Sequence, residues 1–425
     1  MTKISRIWAR EILDSRATPT IEAAVQLENG IVSVFSVPSG ASTGSYEALE
    51  LRDGDESRYL GKGVLKAVNN VNQILGPGLI QAGIDVADQK SIDERLIQMD
   101  GTENKQKLGG NSILAISGAV TKAAAATQGK RLYDWISELA RLRGLNVNLH
   151  VPGTLFNMIN GGLHGAGNLD FQEFFVIPAS SKPYSEGLRM GVEVFTMIGK
   201  NLARRGAIHS VGDEGGYAPN LFTNADALEI LVEAIRQTNY QLGRDVFLGL
   251  DVAASSFYEN NSYTIRDKSA PMNEEAMALY FHELNDMYHL AILEDPLSED
   301  AWDGWKKLNQ TLGDQLLIVG DDLLVTNLKR VEKAIAEDAC NAILIKPNQI
   351  GTITETIEVI KRARDAAWKV VVSHRSGETN ESFIADFAVG VGADYVKFGA
   401  PNRGERVAKY NRLSSIEVEL QQRTS

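Results

Sequence analysis

Six apolar runs in the second half of the chain each give way to a charged residue. VFLGLD (246–251) ends on Asp251, and LAILED (290–295) carries Glu294 near its end. LLIVGDD (316–322) carries Asp321, AILIKPN (342–348) Lys346, KVVVSHR (369–375) His374 and DYVKFG (394–399) Lys397. These six residues are 43, 27, 25, 28 and 23 positions apart. An uninterrupted apolar run is what a strand covered on both faces requires. Helical patterns between several runs, such as AWDGWKKLNQTL and TITETIEVIKRARDAA, supply the crossovers that parallel pairing needs. The pace predicts a β/α barrel, in which neighbouring strand ends converge on one cavity.

The first part of the chain follows different rules. ISRIWAREI and TIEAAVQLENGIVSVFSV alternate in strand fashion, with a hairpin signal at Glu28-Asn29-Gly30. Helical patterns follow in GVLKAVNNVNQIL, DVADQKSIDERLIQM and NSILAISGAVTKAAAATQ. At 425 residues and 44% hydrophobic composition the chain exceeds what one core usually serves. We therefore expect an N-terminal α+β domain over 1–140 and the barrel over 141–425.

Charge and cysteine usage narrow the function classes. The net charge is −12, with acidic residues spread along the chain, which argues against nucleic acid or an anionic membrane as the main partner. Cys340 is the single cysteine, so no internal disulfide can form and a reducing compartment is expected. Its apolar surroundings make it a small core residue rather than a nucleophile. MTKISRIWAREILDS has no uninterrupted apolar core and nowhere do eighteen apolar residues run together, so neither a signal peptide nor a membrane span is expected. The whole fits a soluble cytoplasmic protein.

Charge at the predicted barrel mouth is sorted by sign. Taken singly, each polar strand end has a plain reading as the start of a solvated loop, but a surface ring has no need of an acidic arc followed by a basic one. Three carboxylates brought together repel one another, and a bound cation resolves this. All-oxygen ligands, with neither a cysteine nor a histidine pair, suit Mg²⁺ and suit zinc poorly. Asp251, Glu294 and Asp321 are the expected ligands, with Asp322 pointing elsewhere. In the basic arc, a lysine beside a divalent cation and another ammonium has its charged form disfavoured and becomes a candidate general base. SHRSGE (373–378) offers imidazole, guanidinium and hydroxyl to phosphate or carboxylate oxygens, although a surface turn has the same composition.

Three glycine-rich segments stand apart from the strand ends. SVPSGASTGS (36–45), NGGLHGAGN (160–168) around His164 and GDEGGYAPN (212–220) around Glu214 have the composition of ordinary turns and of closing loops alike. Glu214 is a turn acid or a catalytic one on this reading.

The motifs DSR, SGASTG, GTENK, NGG before His164, FQEF, GDEGG, LDVAAS, LEDP, VGDDLLVTN, NQIGT, SHRSGET and a closing GAP occur in this order over essentially the whole chain. On these motifs the sequence resembles the enolase family. The resemblance implies an N-terminal α+β domain against an eight-stranded β/α barrel, of the TIM-like enolase type, whose first units depart from simple βα order. It implies Mg²⁺-dependent, reversible dehydration of 2-phospho-D-glycerate to phosphoenolpyruvate, a hydro-lyase step of glycolysis and gluconeogenesis. Asp251, Glu294 and Asp321 would hold one Mg²⁺, and Ser42 a second that binds with substrate. Lys346 would remove the C2 proton, and Glu214, with Glu173 beside it, would help hydroxide leave C3. His164 would arrive on a closing loop, while His374, Arg375, Ser376 and Lys397 would hold the phosphate and carboxylate. A homo-oligomer, dimer or octamer, is implied, and a cytoplasmic location with secondary presence at the cell surface.

The chain departs from the family pattern at Ala17 and Thr18, at Gly165-Ala166-Gly167, at Pro347 and at Phe398. None removes a group given a role above. Two other readings are a relative that enolises a different phospho- or phosphonocarboxylate, and a binding protein on the same scaffold. Retention of both the SGASTG and GDEGG segments argues against distant relatives that use one Mg²⁺, and a scaffold under no catalytic demand has no reason to keep every ligand, base and acid, as this chain does.

Overall fold

The first elements form because alternating residues present one apolar face. In the computed structural model, which describes residues 2–40, 46–165 and 168–424, β1 (Ile4–Leu13), β2 (Pro19–Leu27) and β3 (Val32–Ser36) make an antiparallel meander. Ser42, Ala166 and Gly167 lie outside the described residues. The β2–β3 turn falls at Glu28-Asn29-Gly30 as expected, with Gly30 at φ 86°. The helix Gly110–Thr127 covers the sheet and is buried around nearly its whole circumference, because further helices pack on its other sides. Close approach sets one residue there: a Cβ on Gly118 would lie 2.5 Å from the Phe35 ring.

The barrel comprises β4 (Gly153–Asn160), β5 (Glu173–Pro178), β6 (Val246–Asp251), β9 (Leu290–Glu294), β10 (Leu317–Gly320), β11 (Ala342–Ile345), β12 (Lys369–Ser373) and β13 (Tyr395–Lys397). A small hairpin, β7 (Tyr258–Glu259) and β8 (Ser262–Tyr263), stands apart from it. Around the ring the order is β10-β11-β12-β13-β4-β5-β6-β9, closing on β10. The strands from β9 to β13 pair in parallel, as do β13 with β4 and β6 with β9. The pairs β4–β5 and β5–β6 are antiparallel, so the first units do depart from βα order. The six apolar runs became β6 and β9 to β13. β4 and β5 are two further strands that those runs did not include.

The interior is filled by side chains including Leu155, Phe175, Ile292, Val319, Leu344 and Val371, so the barrel is a plugged cylinder with a floor. A second, larger apolar cluster runs continuously from Ile4 in β1 to Ile416 in the last helix. Polar ties accompany it. Thr354 N–H donates to Asp93 at 2.9 Å, Ile353 N–H to Ser117 Oγ at 3.0 Å, and Lys105 Nζ lies 2.9 Å from Glu355.

Candidate active site

Strand register brings the acidic residues into one row. Asn160 pairs with Glu173, Glu173 with Asp251, and Asp251 with Glu294, across β4, β5, β6 and β9. Ser373 pairs with Lys397 on the other side of the ring. The row therefore owes its existence to β5, which is absent from the series of apolar runs. Lys397 Nζ reaches across to it, 2.9 Å from Asp251 Oδ2, 2.9 Å from Glu294 Oε1 and 3.0 Å from Glu173 Oε2. Burial works against this ammonium, but the surrounding carboxylates outweigh it and hold Lys397 well above the usual lysine range.

Of the three expected metal ligands, Asp251 and Glu294 meet on Lys397, while Asp321 pairs with the Lys346 ammonium. Asp295 connects the two groups. Oxygens of Asp251, Glu294 and Asp295 lie within 4.8 Å of one another, as do those of Asp295, Asp321 and Asp322. Asp295, at φ 43°, accepts the backbone N–H groups of Asp321 at 3.0 Å and Asp322 at 2.8 Å, which shapes the turn after β10. Asp322 lines the same cavity as Asp321, contrary to the expectation that it would point elsewhere. One backbone turn carries both side chains toward the cavity, and burial with the neighbouring Asp321 pushes Asp322 up to about 7. Burial and the Asp251 charge likewise raise Glu294 well above the carboxylate range. A set of buried oxygen donors whose mutual repulsion exceeds what Lys346 and Lys397 offset is the environment that a hard divalent cation fits.

Lys346 leaves β11 where Pro347 opens a short helical turn, Pro347–Ile350, a position at which the missing N–H of proline loses nothing. Burial pushes its ammonium down, but Asp321 and the other carboxylates around it, Glu294 among them, push it up and the net shift is upward. Asp321 is also pushed up by burial, yet Lys346 and then Lys397 bring it down overall. Gln349 Nε2 donates to the second oxygen of Asp321 at 3.1 Å, and the Thr326 hydroxyl donates to Gln349 Oε1 at 2.7 Å.

The opposite wall holds an acid pair. Glu214 accepts from Ser376 Oγ at 2.9 Å and Asn157 Nδ2 at 3.2 Å, and lies 3.3 Å from His374 Nε2. His164 Nδ1 is 3.3 Å from Glu173 and 3.5 Å from Glu214. Burial and the Glu214 charge raise Glu173 well above its usual range, whereas His164 and His374 hold Glu214 low against burial. The two neighbouring carboxyls are thus pushed apart, Glu173 toward holding a proton and Glu214 toward releasing one. Burial pushes His374 down to about 4 despite Glu214, so its imidazole is neutral. Arg375 completes the clamp, 3.3 Å from Glu47 and donating to Asn348 at 2.9 Å.

Of the described residues expected at the site, every one has a side chain in or directly against this cavity. Glu47, Asn157, Gln172, Asp295 and Gln349 also belong to it, with Gln172 Nε2 donating to Asp251 at 3.1 Å. Gln172, Asp295 and Gln349 lie inside the FQEF, LEDP and NQIGT motifs, and that membership was their sequence signal.

Fold and site together define a barrel equipped for acid–base chemistry on a small anionic molecule, with carboxylates able to hold a cation. A family model described as enolase, N-terminal domain, matches residues 4–136, and one described as enolase, C-terminal TIM barrel domain, matches residues 147–425. The chain belongs to the enolase family, a family of lyase-type enzymes with small-molecule substrates. Among the described residues no helix is long and apolar enough to cross a membrane.

Proposed function

We propose that the protein is a phosphopyruvate hydratase, catalysing the reversible, Mg²⁺-dependent dehydration of 2-phospho-D-glycerate to phosphoenolpyruvate in glycolysis and gluconeogenesis. The observation that carries this reading is the position of base and acid. Lys346 follows β11, and Glu173, which flanks His164 together with the acid Glu214, opens β5, four steps away in a ring of eight strands and so diametrically opposed. An elimination that takes a proton from C2 on one face and releases hydroxide from C3 on the other needs this opposition.

Asp251, Glu294 and Asp321 would hold one Mg²⁺, and Ser42 would serve a second bound with substrate. The metal would supply positive charge where the substrate carboxylate gains negative charge as its α-proton leaves. Lys397, on the same side, adds an ammonium to that stabilisation. Lys346 must lose its own proton before it can accept the one on C2. Separation from Asp321 favours that loss, because burial alone pushes the ammonium down. Glu214 delivers the proton that lets hydroxide depart as water, with Glu173 as the partner that stores it and His164 Nδ1 within 3.5 Å of both. His374, Arg375 and Ser376 bind the phosphate and carboxylate oxygens. We divide the chain into a capping unit, 1–140, and the catalytic barrel, 141–425, and infer a cytoplasmic homo-oligomer, dimer or octamer.

The test is direct. Protein incubated with 2-phosphoglycerate and Mg²⁺ should form phosphoenolpyruvate, and absence of product from metal-loaded protein overturns the reading. Glu214→Gln should keep exchange of the C2 proton with solvent while dehydration falls about 10²- to 10⁴-fold. Lys346→Ala should lose both, and exchange surviving in it would remove Lys346 from its role.

A further inference from the structure

The first turns of the C-terminal helix, Gly404–Thr424, carry two cations with no solvent exposure, Arg406 and Lys409. A guanidinium is kept out of water where most of its donors find partners. Those on the two terminal nitrogens of Arg406 go to two separate segments, while Nε makes no hydrogen bond and lies 3.6 Å from Glu405 Oε1. Nη1 donates to the Arg375 carbonyl at 2.7 Å and to His374 Nδ1 at 2.6 Å, while Nη2 donates to the carbonyls of Ser376 at 2.6 Å and Asp213 at 3.2 Å. One side chain therefore ties the anion clamp at 374–376 to the segment that presents Glu214.

The contact with His374 also decides where a proton sits. A guanidinium has donors and no acceptor, so Nδ1 of His374 must be the bare nitrogen. A neutral imidazole carries its single proton on the other nitrogen, Nε2, and that atom faces Glu214 Oε2 at 3.3 Å. His374 can then give Glu214 a hydrogen bond and cannot take a proton from it. Lys409 steadies the far end of the same loop, with Nζ 2.8 Å from Glu378 and donating to the Thr379 carbonyl at 3.1 Å.

We propose that Arg406 is a positioning residue that fixes His374 as the Nε2-protonated tautomer and sets Glu214 in register with the anion clamp, without itself touching substrate. The kinetic part of this rests on the reading above; the tautomer does not. The experiment is ¹⁵N NMR of the full chain labelled at histidine, with His374 assigned by the signal lost in His374→Asn. The wild type should show a neutral, Nε2-protonated ring. In Arg406→Met the signal should move to a mixture of tautomers, and kcat for 2-phosphoglycerate should fall about 10- to 100-fold with KM within about threefold. Arg406→Lys, which can reach only some of the same acceptors, should fall between. A wild-type ring protonated on Nδ1 overturns the proposal, as does an Arg406→Met protein that keeps both tautomer and kcat. Should Arg406→Met fail to fold, the wild-type spectrum decides alone. Should the wild type form no phosphoenolpyruvate, the functional reading falls and the tautomer is still decided.

Discussion

Ala17 shows how one residue can depart from a family pattern at a structural cost. It sits at φ 56° in the β1–β2 turn, whose other backbone N–H groups, of Arg16 and Thr18, are held by the Asp14 carboxylate at 2.8 and 2.9 Å. The left-handed region is disfavoured for alanine by roughly 1–2 kcal/mol, part of which glycine gives back in the unfolded chain. Ala17→Gly should raise stability by about 1 kcal/mol in urea denaturation, and no gain would mean that the turn is unstrained. The carboxylates lend themselves to a second test at this scale: added Mg²⁺ should raise Tm, and Asp251→Asn or Glu294→Gln should shrink the rise. An equal rise in all three proteins would place the ion elsewhere. The signs of these charges were legible in the sequence because each ends an apolar run. Arg406 was not, since a cation on a helix faces solvent by default and only tertiary packing turned this one inward.

Elements were legible where their surroundings are uniform. β6 and β9 to β13 are covered on both faces, and they announced themselves as apolar runs. β4 and β5 pair antiparallel with no helical crossover between them, and GTLFNMIN carries two asparagines that face the site region, so neither the pacing nor the composition marked them. Contact between elements yields a pH prediction. Asp93, on the helix Gln89–Asp100, accepts Thr354 N–H at the start of the helix Ile353–Asp365, and burial raises it from 3.8 to about 6. Between those values the folded chain binds more proton than the unfolded one, so this residue's contribution falls as pH rises and levels off above about 6. The ionised form costs on the order of 3 kcal/mol. Asp93→Asn should flatten the decline in stability from pH 4.5 to 6.5 measured by denaturant titration, and an unchanged slope would assign it to other groups.

At the scale of the whole molecule, a division near residue 140 can be drawn in sequence, but the apolar cluster crosses it without a break. Residues on both sides would lose buried surface together. Calorimetry should accordingly give one unfolding transition, with calorimetric and van't Hoff enthalpies in agreement. Two resolved transitions would mean that the halves melt separately. No composition argument could foresee this, because continuity of a core depends on where helices such as Gly110–Thr127 dock.

The plugged barrel has a bearing on traffic. With Phe175, Leu344 and their neighbours closing the cylinder below the row of carboxylates, nothing can pass through to the other end. Whatever reacts here arrives and departs by one doorway, and the departing molecule stands in the path of the next. Product should therefore compete with substrate for the free protein, raising apparent KM and leaving the limiting rate untouched.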